Sequence, residues 1–108
     1  MRQAILDLVK LGPLPSETNA DPVVLERVQE LITSIGNPIA DDEARALVRL
    51  FGSDDCFGLA WSVLHLIETA PGWPLFDCLE DLNNEWVRRL RDRALRTNNL
   101  GDSAPPMQ

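Results

Sequence analysis

The fold is decided by residues 56–70, CFGLAWSVLHLIETA. If this segment is a helix, its apolar side chains point in nearly every direction around the axis; they are Phe57, Leu59, Ala60, Trp61, Val63, Leu64, Leu66, Ile67 and Ala70. A helix that is apolar on almost every face has to be contacted from several sides. The segment therefore predicts a central helix with other elements packed around it and with Trp61 in the core.

Helical periodicity continues on both sides of this segment, and no alternating strand pattern appears. Asp21 and Pro22 have the residue types preferred at a helix N-cap and at the first helical position. Further helices are predicted over about 2–10, 22–35, 40–51 and 75–96, the last with a candidate break at 83–84. The sequence thus predicts an all-α protein of about five to six helices, with a single helical domain over 1–96 and a flexible tail over 97–108.

A weak internal repeat suggests how the helices are arranged. Pro38 and Pro74 lie 36 positions apart, each after a glycine-containing turn and before a predicted helix, and Asp41 falls on Asp77 at the same offset. Two copies of a helix–turn–Pro–helix unit favour stacked helical pairs. The expected fold is therefore a short HEAT-like α-solenoid, with an irregular helical bundle as the alternative.

The net charge of −7 is unevenly distributed along the chain. Residues 1–87 carry fifteen acidic and five basic side chains, whereas residues 88–108 carry five arginines against two acids. An acidic body repels nucleic acid and anionic membranes and attracts basic proteins. The arginines spread over more than one face of their helix, so pairing with the acidic body explains them better than nucleic-acid binding does.

The prediction of the cellular compartment rests on the signal-peptide and membrane-spanning patterns and on the cysteines. The N-terminal residues form no signal-peptide apolar region, and no apolar stretch approaches 18 residues. Cys56 and Cys78 stand alone in apolar patterns, so buried free thiols are expected. These features predict a cytoplasmic protein that does not enter a membrane.

The residues that could support catalysis are few. His65 is the only histidine, and Glu68 follows it on the same helical face. A zinc site needs three or four ligands, so one histidine and one glutamate do not make one. The sequence predicts no catalytic residue, no metal site and no cofactor, and a small metal-binding enzyme centred on His65 and Glu68 is left as an alternative.

A partner surface is predicted from exposed acids and one tryptophan. Trp73 lies in a turn between Pro71 and Pro74, where it either folds back onto the helices or stays exposed as an interface anchor. Acidic residues follow it closely, and another acidic pair lies in the turn before the central helix. The predicted partner-binding residues are Asp54, Asp55, Trp73, Asp77, Glu80 and Asp81.

Residues 41–55, DDEARALVRLFGSDD, have the capped start, paired apolar positions, glycine stop and short acidic turn of a HEAT-type helical pair. They carry best a resemblance of residues 41–95 to a degenerate HEAT-type array of helical pairs. In size, charge and helix layout the chain is similar to the small acidic immunity proteins that bacteria make beside secreted toxins. The resemblance implies a protein that neutralises a cognate basic toxin domain by direct binding. The alternative is a non-catalytic regulatory or scaffold subunit that self-associates, for example as a homodimer.

Overall fold

A computed structural model describes the backbone of residues 1–103 and the side chains of residues 1–96. Within residues 1–103 it contains helices and no strand, which confirms the predicted all-α fold. The predicted tail, residues 97–108, lies outside the described side chains, although the last helix continues to Ser103. The elements are α1 (Gln3–Leu11), α2 (Pro22–Ser34), α3 (Asp41–Val48), α4 (Leu59–Ile67), a single 3-10 turn (Phe76–Cys78) and α5 (Glu85–Ser103).

Helix α4 is central, as the sequence predicts, because it packs against α2, α3 and α5. Its buried side chains follow helical spacing and form one stripe: Ala60, Val63, Leu64 and Ile67. The prediction of a helix buried on nearly every face is wrong at two positions. Phe57 precedes the helix and is 62% exposed, and Trp61 is 36% exposed. The outer side of α4 therefore faces solvent.

Helices α1 and α2 pack against each other, as do α3 and α4, which corresponds to the irregular-bundle alternative. The second copy of the predicted repeat is shortened, since the position of α3 is taken by the three-residue turn Phe76–Cys78. Asp41 and Asp77 also differ in their partners. Asp41 accepts a hydrogen bond from the Gly72 amide at 2.7 Å, whereas Asp77 pairs with Arg45. The solenoid-like repetition is thus lost in the second unit.

The N-terminus is joined to α3 through a buried carboxylate. Glu43 is 3% exposed and accepts hydrogen bonds from the Arg2 amide at 3.0 Å, the Arg2 Nε at 2.9 Å and the Ala40 amide at 2.9 Å. Burial alone would raise the pKa of Glu43, but these hydrogen bonds and the Arg2 charge outweigh it and lower the pKa. The same guanidinium donates to the Gly36 carbonyl at 2.8 Å.

Helix α2 begins as its sequence predicts. The Asp21 carboxylate accepts a hydrogen bond from the Val23 amide at 2.9 Å, and Pro22 occupies the first helical position. Its buried side chains, Val28, Leu31 and Ile32, lie at the predicted positions. The cap satisfies one of the amides that every helix start leaves without an intrahelical partner.

Candidate functional site

The candidate site is built where two connecting segments lie side by side: residues 49–58, before α4, and residues 76–84, before α5. Asn84 joins them, because its Nδ2 donates to the Phe51 carbonyl at 3.1 Å while its Oδ1 caps α5 by accepting from the Trp86 amide at 2.8 Å. The Trp86 indole donates to the Asp54 carbonyl at 3.1 Å. Both segments are therefore held against the start of α5.

Three adjoining depressions follow this junction, and we call them together the charged groove. The first, of about 250 Å³, and the second, of about 470 Å³, share Ser53 and Glu85. The second and the third, of about 300 Å³, share Asp81. The charged side chains that line the groove are Arg45, Arg49, Asp54, Asp55, Asp77, Glu80, Asp81, Glu85, Arg88 and Arg89.

The groove brings together five of the six predicted partner-binding residues. Asp54 and Asp55 line the first depression, Asp77 and Glu80 line the third, and Asp81 lies where the second meets the third. Asp54 and Asp55 are far from Asp77, Glu80 and Asp81 in the sequence, so the sequence does not predict that both sets of acids line adjoining depressions. Their proximity follows from the hydrogen bonds that place α5 against the segment before α4.

Trp73, the sixth predicted residue, lies apart from the lining of the groove. It is half-buried and packs against the core, and its amide donates to the Ala70 carbonyl at 3.0 Å. This position corresponds to the fold-back alternative of the sequence analysis. Its role in binding a partner stays a prediction.

The groove is less acidic than the sequence indicates, because arginines lie among its carboxylates. Arg45 pairs with Asp77 at 2.8 Å, and Arg89 pairs with Glu85 at 2.6 Å. These side chains are largely exposed, so water and salt screen the pairs and they contribute little to stability. In all, six carboxylates and four guanidinium groups line the groove.

The turn that precedes α4 has a left-handed backbone at three successive residues. The φ angles are 47° at Cys56, 56° at Phe57 and 87° at Gly58. The predicted helical segment 56–70 therefore begins too early, since Gly58 is the N-cap of α4 and uses a conformation that favours glycine. Asp54 supports the turn by accepting from the Cys56 amide at 3.0 Å.

Glu17 reaches across from the loop before α2 and fastens this turn. Its carboxylate accepts from the Phe57 amide at 2.9 Å, and its own amide donates to Asp54 Oδ2 at 3.0 Å. A hydrogen bond shared with the Asp55 carboxyl group raises the pKa of Glu17, which the Phe57 amide partly offsets. Two of the predicted binding residues, Asp54 and Asp55, therefore also have structural roles.

Trp61, predicted to be core, lies in the lining of the first depression. Its ring meets that of the buried Trp86 edge to face, with centroids 5.0 Å apart and an interplanar angle of 88°. The Arg89 guanidinium lies over both rings, 5.3 Å from the Trp61 centroid and 4.9 Å from the Trp86 centroid. A usable signal was present in the sequence: the polar residues Ser62 and His65 mark the side of α4 on which Trp61 lies.

His65 and Glu68, the residues of the alternative metal-binding enzyme, do not form part of a cluster of metal ligands among the described residues. His65 is exposed, and its Nδ1 lies 3.6 Å from Glu68 Oε1. Both carboxylate oxygens of Glu68 accept hydrogen bonds from Arg93, at 2.6 and 2.9 Å. Among the described residues no group of three or more histidine, cysteine or acidic side chains is placed to hold a metal ion.

The two cysteines are free, as predicted, and differ in exposure. Cys56 is fully buried, and burial is the main cause that raises the pKa of its thiol. Cys78 is half-buried at the edge of the groove, and burial raises its thiol pKa as well. Since the thiolate is the reactive form, neither residue has the character of a nucleophile.

Comparison with protein-family models, with curated protein sequences and with solved structures finds no match to this chain. No helix within the described residues combines the length and the apolar character that crossing a membrane requires.

Proposed function

We propose that this chain is a protein-binding module and that the charged groove binds a basic protein partner. The observation that supports the proposal is that five predicted acidic residues line three depressions that adjoin through shared residues. We propose further that the module is an immunity protein, which neutralises a basic toxin domain by covering its working surface.

The charge of the body supports a basic partner. Residues 1–87 contain ten more acidic than basic side chains, and Glu80 and Asp81 are exposed at the groove. Opposite charges accelerate the encounter of two proteins and act against wrong partners. Because exposed charges are screened by salt, the binding of such a partner weakens as ionic strength rises.

The variant that tests the groove is Glu80→Lys with Asp81→Lys. Neither side chain contacts the core, and Asp81 contributes only one local hydrogen bond, to the Asn83 amide at 3.2 Å. The matched control is Glu26→Lys with Glu30→Lys, which makes the same charge change on exposed positions of α2, at a depression that shares no lining residue with the groove.

The experiment is affinity capture from the source cell at low and at high salt, with mass spectrometry of the retained proteins. We expect the wild type and the α2 control to retain one basic protein at low salt and to release part of it at high salt. The groove variant loses that protein. Equal retention by both variants would exclude the groove, and an empty column at both salt concentrations would favour the self-associating scaffold.

The proposal that the module is an immunity protein is tested by co-expression with the captured protein. The captured protein, or its basic domain, is expressed alone and together with the wild type, the groove variant or the α2 control. We expect growth to fail when it is expressed alone, and to be restored by the wild type and the control but not by the groove variant. A captured protein that is harmless alone would refute the immunity version and leave the binding module intact.

A further inference from the structure

The first depression of the charged groove has the chemistry of an arginine-binding cleft. Trp61 and Trp86 meet at a right angle and form a corner, which we call the tryptophan corner. Trp86 is 3% exposed and forms its buried floor, while Trp61 is 36% exposed and forms its wall. Asp54 and Asp55 line the same cleft. Aromatic faces beside carboxylates are the surroundings that a guanidinium group prefers.

A guanidinium group already lies in this corner. Arg89 of α5 lies over both indole rings, and its Nη2 donates to Glu85 Oε2 at 2.6 Å. The position of Arg89 therefore shows that the corner accepts a planar cation and that a carboxylate can pair with this cation. A cleft of about 250 Å³ surrounds the position.

The internal arginine is held weakly enough to be replaced. The side chains of Arg89 and Glu85 are 43% and 52% exposed, and they lie four positions apart on one helix. Pairs of this kind are among the weakest in proteins, and an Arg89 that leaves the corner passes directly into solvent. An arginine from outside would keep the cation–π contacts and pair with the Glu85 carboxylate that Arg89 releases, so the exchange leaves no buried charge without a partner.

We infer that the tryptophan corner is the point at which an arginine side chain of the basic partner binds, taking the position that Arg89 occupies in the free protein. This inference rests on the proposed function and makes it specific: the partner is recognised through arginine rather than through positive charge alone. Lysine has a compact, strongly hydrated ammonium group, which stacks less well on an aromatic face and cannot bind a carboxylate with two parallel hydrogen bonds.

The test compares a short arginine-containing peptide with its counterpart that has lysine at the same positions. Binding to the full chain is measured by calorimetry and by tryptophan emission at low salt. We expect the arginine peptide to bind about three- to tenfold more tightly, the range that a partly exposed cation–π contact supports.

Two variants test whether the tryptophan corner causes the preference for the arginine peptide. Trp61→Leu keeps an apolar side chain on α4 but removes one of the two aromatic faces of the corner, and we expect the preference for the arginine peptide to decrease. Trp61→Phe restores an aromatic face and most of the preference. Circular dichroism checks that both variants fold.

Removal of the internal arginine gives an independent test. Arg89→Ala empties the corner, and we expect it to raise the affinity for the arginine peptide more than for the lysine peptide. Arg91→Ala makes the same charge change at an exposed position of the same helix, so it raises both affinities slightly and equally.

The outcomes separate this inference from the proposed function. Equal binding of both peptides by the wild type, or a preference that Trp61→Leu leaves undiminished, would overturn the arginine cleft while leaving a groove that attracts positive charge. If neither peptide binds at low salt, both proposals fail.

Discussion

The buried carboxylate of Glu43 makes the clearest prediction about stability. The substitution Glu43→Gln keeps the size of the side chain and removes its charge. Three hydrogen bonds are affected, two donated by Arg2 and one by the Ala40 amide. Hydrogen bonds to a charged group contribute about 1.5–3 kcal/mol, against about 0.5–1.5 kcal/mol for neutral pairs, and a buried amide that faces other donors adds a further cost.

The loss expected for Glu43→Gln is about 3 kcal/mol, since the Arg2 side chain is 37% exposed and water recovers part of the difference. For a domain of this size that corresponds to a decrease in Tm of roughly 10–20 °C. The assay is thermal unfolding followed by circular dichroism. Glu26→Gln, at an exposed position on α2, is the control and should change stability by less than about 0.5 kcal/mol.

The pH dependence of the Tm of Glu43→Gln provides a second test of the Glu43 contacts. Because the pKa of Glu43 is lowered in the folded state, its charge stabilises the fold above its ordinary unfolded pKa, and this stabilisation is lost as the pH falls through the folded pKa. The difference in Tm between wild type and Glu43→Gln should therefore be largest near neutral pH and shrink in acid. A Tm equal to that of Glu26→Gln, or a difference unchanged down to pH about 3, would refute the reasoning.

Substitutions at three further positions, Asn84, Gly52 and Glu17, test the junction that forms the groove. Asn84→Ala removes the cap of α5 and the side-chain bonds to the preceding segment, and chemical denaturation should show a loss of about 2 kcal/mol. Gly52→Ala places a methyl group against the backbone of the loop before α2 and should cost about 1–3 kcal/mol, whereas Gly36→Ala meets open space and should cost nothing measurable. Asp55 raises the pKa of Glu17, so the ionisation of Glu17 opposes folding as the pH rises above its ordinary pKa. Glu17→Gln should therefore raise the Tm at pH 7. Glu17→Ala should lower the Tm, because it also removes the acceptor of the Phe57 amide.

Much of the fold follows from local sequence signals. The cap at Asp21, the proline at the first position of α2 and the apolar spacing are short-range features, and they predict where α2 begins and which of its faces is buried. The predicted starts of the last two helices, near residues 56 and 75, are wrong, because α4 begins at Leu59 and α5 at Glu85. The central position of α4 also follows, because its segment is too apolar to lie at an edge.

The site depends on long-range contacts, which periodicity does not encode. Asn84 bridges to a carbonyl 33 positions earlier, and Glu43 pairs with an arginine 41 positions away. Five of the six acids of the groove are predicted from their residue type and their positions in turns, whereas Glu85 and the arginines between them are missed because their positions in space depend on this docking. Trp61 was assigned to the core because its size outweighed the polar neighbours that mark its face.

The central claim is that the charged groove binds a basic partner, and the affinity for that partner as a function of salt concentration tests it most directly. The account predicts that Glu80→Lys with Asp81→Lys binds at least about tenfold more weakly at low salt and loses much of the salt dependence, while Glu26→Lys with Glu30→Lys stays close to the wild type. Equal weakening by the two variants would show that only net charge matters, and wild-type affinity in the groove variant would contradict the claim.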